Sequence, residues 1–341
     1  MRYYFITTDT GLGKGGIQTW AHYIEKFFKT RNLPFGMFCL KKATVRSLLN
    51  LVKANVTNNV IVLMDWQKLA FVPLSLLLSY MGIIKSRYIV FILGNEILSR
   101  SRIKILFLKM ITRRNDIYFV SDSGSIADIF HKKFKRKIDL VCYTFIDTRT
   151  DVQPRADTPE KKERRILFTV SRLVKRKNVE NVIRALQPLM RKYTDLRYFI
   201  GGDGPERGNL ESAISSLDLS DRVVLLGQLT EERKMEYLKN SDLYILPSVF
   251  DEDDGSIEGF GIVFIEANMY GVPVISGNTG GMPEAVVDGV TGFHTDGSIP
   301  DITKKIEKAL GYNFDTVKIL KHAAKFDYRE QESFYKFITH I

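Results

Sequence analysis

Short β-rich runs alternate with helical patterns twice along this chain of 341 residues, on either side of a polar, proline-bearing stretch. The first series is Tyr3–Thr8, Phe35–Leu40, Val60–Met64, Tyr88–Leu93, Ile117–Val120 and Leu140–Tyr143. The second is Ile166–Val170, Tyr198–Ile200, Val223–Leu226, Leu243–Leu246 and Val272–Ile275. Such alternation builds a parallel sheet with helices on both faces, because one parallel strand reaches the next only through a crossover. Two series predict two doubly wound α/β domains, Rossmann-like and facing across a cleft, in a chain long enough to give each its own core. The polar stretch from Asp147 to Arg164 carries Pro154 and Pro159 and ends in a charge run, which sets the linker. The expected boundaries are 1–150, a linker over 151–165, a second domain over 166–325, and a final helix over 326–341.

Charge divides the two halves. Residues 1–150 hold 24 Lys and Arg against 9 Asp and Glu, a charge of +15, whereas the remainder holds 26 against 30, or −4. A basic first half implies an anionic partner: nucleic acid, a phospholipid surface or a pyrophosphate-linked substrate. No nucleic-acid-binding motif is present, so nucleic acid is set aside. Two basic segments stand out. Ser101–Arg114 places Ile103, Leu106, Phe107 and Met110 at near-helical spacing among Lys104, Lys109, Arg113 and Arg114, and His131–Lys137 is almost wholly basic. Each alone reads most simply as a core-facing helix with a solvated basic edge. Together with the charge of the first half, they point to an anionic membrane surface.

The run from Leu69 to Ile84 is 16 residues long, contains Pro73 and is too short to span a bilayer comfortably, so a buried helix is expected there. The first residues lack a secretory signal pattern, and two cysteines, Cys39 and Cys142, form no disulfide framework or metal-ligand spacing. A reducing compartment, the cytoplasm, is the expected location.

Glycine turns follow several of the strand runs. Asp9–Gly16 comes after the first; Lys14 is followed by glycine, so it is no Walker loop, and Gly15 and Gly16 open a helical pattern. In the second half, Arg172 and Lys177 follow a strand end and suit a diphosphate, one as a bidentate fork and the other as a point charge. Gly202 and Gly204 lie in the turn Gly201–Pro205, where backbone could approach a ring or ribose. After Leu243–Leu246 comes Glu258-Gly259-Phe260-Gly261-Ile262, running on to Glu266, and then the glycine-rich turns Gly277–Glu284 and Asp288–Phe293. Phe260, Gly261 and Ile262 would offer backbone N–H groups to a diphosphate, Glu258 would sit by a transferred group and Glu266 would reach a ribose diol. Taken alone, that stretch is equally an ordinary strand-to-helix turn with two surface glutamates. Open α/β sheets bind ligands at the carboxyl ends of their strands, and four such turns in order argue against a purely structural role.

These residues resemble the retaining nucleotide-sugar glycosyltransferases of family 4, with the GT-B fold. The likeness rests on Ser-Arg-Leu followed by Lys177, Gly-Gly-Asp-Gly-Pro, Glu-Gly-Phe-Gly with a second Glu eight positions on, Gly-Val-Pro-Val-Ile and Gly-Gly-Met-Pro-Glu. It implies a donor activated by a nucleoside diphosphate and bound by the second domain, with the acceptor on the first. By motif, Arg172 and Lys177 would hold the diphosphate, Glu266 the ribose, Glu258 the donor sugar, and Gly15 and Gly16 the diphosphate. The last helix would pack back on the first domain. No metal or cofactor is implied, and Asp251–Asp254 reads as a solvated loop insertion. Where relatives carry a His-Gly turn, this chain has Leu93-Gly94-Asn95-Glu96, which makes Asn95 and Glu96 the acceptor-side candidates. Asn178 stands in place of the usual glycine after the lysine. Two carboxylates on one turn and helix do not suit the flanking pair of a glycosidase, so front-face retention is expected. The expected activity is retaining transfer of a hexose-type sugar to a polyprenyl-diphosphate-linked glycan in surface polysaccharide synthesis. The alternatives are a small soluble acceptor, or a nucleotide-sugar or glycan-binding protein without turnover.

Overall fold

The computed structural model describes residues 2–7, 9, 15–39, 59–64, 86–148, 164–253 and 255–341. The glycine loop as far as Lys14, the apolar run Leu69–Ile84 and most of the expected linker lie outside them. The chain divides into two compact units. One is Met1–Asp147 with Asp254–Gly259 and Tyr328–Ile341; the other is Thr148–Asp253 with Phe260–Asp327.

The first unit contains β1 (Tyr3–Thr7), α1 (Gly16–Thr30), β2 (Phe35–Cys39), β3 (Val60–Leu63), β4 (Arg87–Ile92), α2 (Asn95–Leu98), α3 (Arg102–Ile111), β5 (Ile117–Ser121), α4 (Gly124–Phe134) and β6 (Leu140–Val141). Its sheet has the order β2-β1-β3-β4-β5-β6, with every pair parallel. The strands are apolar on both faces, as a sheet covered by helices on each side requires, and all four side chains of β3 are buried. Ile61, Leu63, Tyr88, Val90, Phe119 and Phe130 form the centre of one core cluster. Hydroxyl caps start the helices: Ser101 Oγ accepts from Lys104 N–H at 3.4 Å, and Ser123 Oγ from Ile126 N–H at 3.3 Å.

The second unit contains β7 (Arg165–Val170), α5 (Val179–Lys192), β8 (Leu196–Gly201), α6 (Arg207–Ser216), β9 (Val223–Gly227), α7 (Glu231–Asn240), β10 (Leu243–Leu246), α8 (Ile262–Asn268), β11 (Val274–Gly277), α9 (Met282–Ala285), β12 (Gly292–Thr295), α10 (Ile299–Gly311) and α11 (Thr316–Ala324). Its parallel sheet runs β12-β11-β10-β7-β8-β9. Successive strands leave β7 in one direction, and the chain then returns to build β10, β11 and β12 on the other side. The order therefore reverses between β7 and β10, the switch point at which open sheets leave a ligand crevice.

Three details depart from expectation. β11 begins two residues late, because Pro273 has no N–H to give a ladder; its carbonyl instead accepts from Tyr244 N–H at 3.0 Å. β12 was hidden in a glycine-rich turn. Finally, Asp254–Gly259, expected in the 166–325 domain, belongs to the first unit.

The tail also belongs to the first unit. Its helix, α12 (Glu332–His340), sets Phe334 against Phe27 at 5.3 Å and Phe145 at 6.0 Å between ring centres. Tyr3 Oη donates to Ile338 O at 2.9 Å, and Arg329 pairs with Asp147 at 2.6 Å.

Candidate functional site

The loops after β7 and β8 are laced together. Ser171 N–H donates to Gly201 O at 3.1 Å and Leu173 N–H to Asp203 O at 2.9 Å, while Glu206 N–H donates to Leu173 O at 3.1 Å. A Cβ on Gly202 would stand 1.8 Å from Ser171 O, and one on Gly204 2.3 Å from Leu173 O. Glycine is needed at both places because backbone lies on backbone, which holds the segment bearing Arg172 at the strand edge. Arg172 is exposed; Lys177 is half-buried and closes a single 3-10 turn, Lys175–Lys177. Asn178 follows in the left-handed region, φ 57° and ψ 28°, and its Nδ2 donates to Gly297 O at 2.8 Å. Asparagine tolerates this conformation better than other side chains, which accounts for its place where glycine was expected. Val249 N–H donates to Arg176 O at 2.9 Å, joining the loops after β7 and β10 beside the switch point.

Gly261 opens α8 with φ 87°, and a Cβ there would meet the Phe264 ring at 2.4 Å. Phe260 is buried against Phe326, with ring centres 5.3 Å apart, and Ile262 begins the helix. Glu266 is not a surface glutamate. Its side chain is 4% exposed, and Lys234 Nζ lies 2.9 Å from its Oε1. The same ammonium lies 2.8 Å from Glu231 Oε1, so three charged side chains of α7 and α8 share one buried place. Burial pulls the Lys234 pKa down, but Glu266 and Glu231 outweigh it and the net shift is upward. Burial pushes the Glu231 carboxyl up; Lys234 draws it back and Glu266 adds to the rise. Nothing in the sequence analysis pointed to Glu231 or Lys234, because a helix opening Thr-Glu-Glu-Arg-Lys looks like an exposed capped turn. The available signal was the four-residue step from Lys234 to buried Leu238, on one helix face.

In the first unit, the Gly255–Gly259 segment crosses the carboxyl ends of β4 and β5. Ile257 N–H donates to Asn95 Oδ1 at 3.4 Å, and a Cβ on Gly94 would meet Ile257 Cγ2 at 2.8 Å. A Cβ on Gly259 would stand 2.1 Å from Asp122 Oδ2 and 2.9 Å from Leu93 O. The structure thus brings half-buried Glu258 to the Asn95–Glu96 turn, two candidates that sequence had placed in separate domains. Within that turn the roles differ. Asn95 is exposed, whereas Glu96 turns inward and its Oε2 accepts from Leu93 N–H at 3.0 Å. Asp122, buried beside Gly259, carried no sequence signal beyond its place after a strand. Gly15, at φ 133°, caps α1 and Gly16 is its first residue; both are exposed, and the first turn of the helix has no acidic residue. Asp251 Oδ1 accepts from Asp253 N–H at 3.0 Å; among the described residues no cluster of three or more His, Cys, Asp or Glu side chains could hold a metal.

The amphipathic segment is indeed a helix, α3, but three of its four named apolar residues do not face the core. Leu108 and Ile111 are buried and Phe107 is partly so, whereas Ile103 is 82%, Leu106 69% and Met110 40% exposed. These three follow i, i+3, i+7 spacing, with exposed Arg102, Lys109 and Arg113 alongside. The second basic segment lies near: burial lowers the Lys133 pKa, and Lys109 lowers it further. Among the described residues no helix is long and apolar enough to cross a membrane.

A sequence model of the family described as "Glycosyl transferases group 1" matches residues 153–329. The chain is 36% identical over 139 residues, 41% of its length, to a GDP-mannose-dependent alpha-(1-6)-phosphatidylinositol monomannoside mannosyltransferase of Mycolicibacterium smegmatis, covering 36% of that protein. It is 33% identical over 127 residues, 37% of its length, to the amylovoran biosynthesis glycosyltransferase AmsK of Erwinia amylovora, covering 31% of that relative. The chain therefore spans less than half the length of the curated relatives it matches. Among solved structures, Anabaena Alr3699/HepE in complex with UDP-glucose superposes with a TM-score of 0.75 over 100% of both chains at 17% identity, which establishes the shared fold.

Proposed function

The chain belongs to the glycosyl transferases of group 1, and we propose that it moves a hexose-type sugar from a nucleoside-diphosphate sugar to a glycan acceptor linked to a polyprenyl diphosphate, with retention and without a metal. The setting is surface polysaccharide assembly (O-antigen, capsule or exopolysaccharide) at the cytoplasmic face of a membrane. The observation that carries this reading is the second sheet's switch point, where the Arg172–Lys177 loop follows β7 and the glycine-opened α8 follows β10.

In this reading the donor lies on the second unit. As the bond to the sugar lengthens, negative charge builds on the leaving diphosphate. Arg172 meets it with a bidentate fork, Lys177 with a point charge, and the N–H groups of Phe260, Gly261 and Ile262 add fixed dipoles. Gly15 and Gly16, at the start of α1, supply further backbone donors. Gly202 and Gly204 keep the loop under Arg172 in place. Glu266 accepts from the ribose hydroxyls. Glu258 steadies the cationic sugar, and the departing phosphate oxygen takes the proton of the acceptor hydroxyl, so the new bond forms on the face from which the old one leaves. Asn95 fixes the segment that carries Glu258 on the acceptor side.

The lipid-linked acceptor is supported by the +15 charge of residues 1–150 and by the exposed apolar stripe of α3 among basic side chains. The first test is thermal-shift binding of UDP, GDP and ADP, each with and without its common sugars and without added metal. A rise with one nucleotide establishes the donor site and names the base. No rise with any of them removes the donor reading. Full transfer to a soluble glycan, with no binding to anionic vesicles, would replace the lipid-linked acceptor with a small one.

A further inference from the structure

Lys234 reaches from α7 to α8 and touches two carboxylates at once, Glu231 at 2.8 Å and Glu266 at 2.9 Å. All three side chains are largely shielded, at 12% exposure for Lys234, 15% for Glu231 and 4% for Glu266. Two carboxylates and one ammonium leave one net negative charge in a place poor in water. Such a cluster is expensive to assemble, and nothing in the packing of two short helices requires it. Glu231 Oε2 is also buried with no hydrogen-bond partner among the described residues. A buried anionic group left with spare acceptor capacity fits a neutral ligand that brings hydroxyl donors.

We infer that Lys234 is a positioning residue of the donor site: by binding both carboxylates it fixes Glu266 as an acceptor for a vicinal diol, and so makes the site select ribose over 2′-deoxyribose. The inference rests on the nucleotide reading of the second unit and adds to it the residue that maintains the ribose acceptor. Without the ammonium, Glu231 and Glu266 would repel each other in low dielectric and move apart, so that Glu266 would no longer face both hydroxyls of a diol. A site built to hydrogen-bond a hydroxyl rejects an analogue that lacks it, since its buried carboxylate is then left unpaired.

The experiment is calorimetric titration of UDP, GDP and ADP, and of their 2′-deoxy analogues, into wild type, Lys234→Met and Lys234→Arg. In the wild type the nucleotide that binds should do so at least about tenfold more tightly than its 2′-deoxy form. In Lys234→Met that ratio should fall toward one, because Glu266 is no longer held in place on the diol. Lys234→Arg should keep the wild-type ratio. A purely structural lysine would instead weaken ribo and deoxy forms alike and leave their ratio at the wild-type value, which would overturn the inference. A wild-type ratio near one overturns it too, whether or not Lys234→Met folds, while leaving the nucleotide site standing. Absence of binding by all three nucleotides removes both.

Discussion

Glu258 and Arg172 hold different posts, and single substitutions should separate them. Glu258 lies in the first unit beside Asn95, whereas Arg172 and Lys177 lie at the carboxyl edge of the second sheet. Glu258→Gln should lower transfer by about a hundredfold or more, the scale on which loss of one preorganised electrostatic group acts. Nucleoside diphosphate affinity should stay within about twofold, since its effect falls on the transition state. Arg172→Ala and Lys177→Ala should weaken that affinity itself, each by roughly tenfold or more, the scale of a lost charge-assisted contact. Calorimetric binding beside a transfer assay tests both, and near-wild-type turnover in Glu258→Gln would end its assigned role. Asn178 permits a second test on the backbone. At φ 57° an alanine should cost about 1–2 kcal/mol and a glycine far less, measured by urea unfolding.

At the scale of elements, α3 shows why amphipathic spacing needs a structure to read it. Spacing identified the helix, but Ile103, Leu106 and Met110 point outward while Leu108 and Ile111 fill the core. Both stripes have helical period, and hydrophobicity alone does not say which one the sheet covers. If the outer stripe meets lipid, Ile103→Ser combined with Leu106→Ser should reduce binding to phosphatidylglycerol vesicles by about tenfold or more, with little change in melting temperature, because neither side chain is packed. Co-sedimentation with vesicles measures this, and undiminished binding would move the lipid contact elsewhere. Strands were the most legible elements, since continuous apolar runs suit sheets buried on both faces. β12 escaped because a four-residue strand beginning at Gly292 and containing His294 resembles a turn. The buried ion cluster escaped for a related reason. Glu231 and Lys234 sit in a polar helix start, and their burial depends on α8, which sequence placed only as a neighbour of the glycine turn.

At the scale of the whole molecule, the chain passes between the two units four times, after Asp147, Asp253, Gly259 and Asp327. Division at a single linker was the natural reading of one polar stretch. The later crossings leave no compositional trace, because short segments such as Ile257–Gly259 and the tail are recognised only by what they pack against. The tail gives the clearest energetic test. Phe334 is 1% exposed and lies among Phe27, Phe28 and Phe145, all of the first unit. Phe334→Ala removes a buried ring and should cost about 3–5 kcal/mol, felt by the first unit alone. Two units of this size need not unfold as one, so calorimetric scanning should distinguish their transitions. Phe334→Ala should lower one transition, and a bound nucleoside diphosphate should raise the other, by an amount that grows with ligand concentration. Transfer should then fail on heating before nucleotide binding does, since Glu258 belongs to the weakened unit and Arg172, Lys177 and Glu266 do not. A single transition lowered by the substitution and raised by the nucleotide would show instead that the four crossings make the two units one cooperative body.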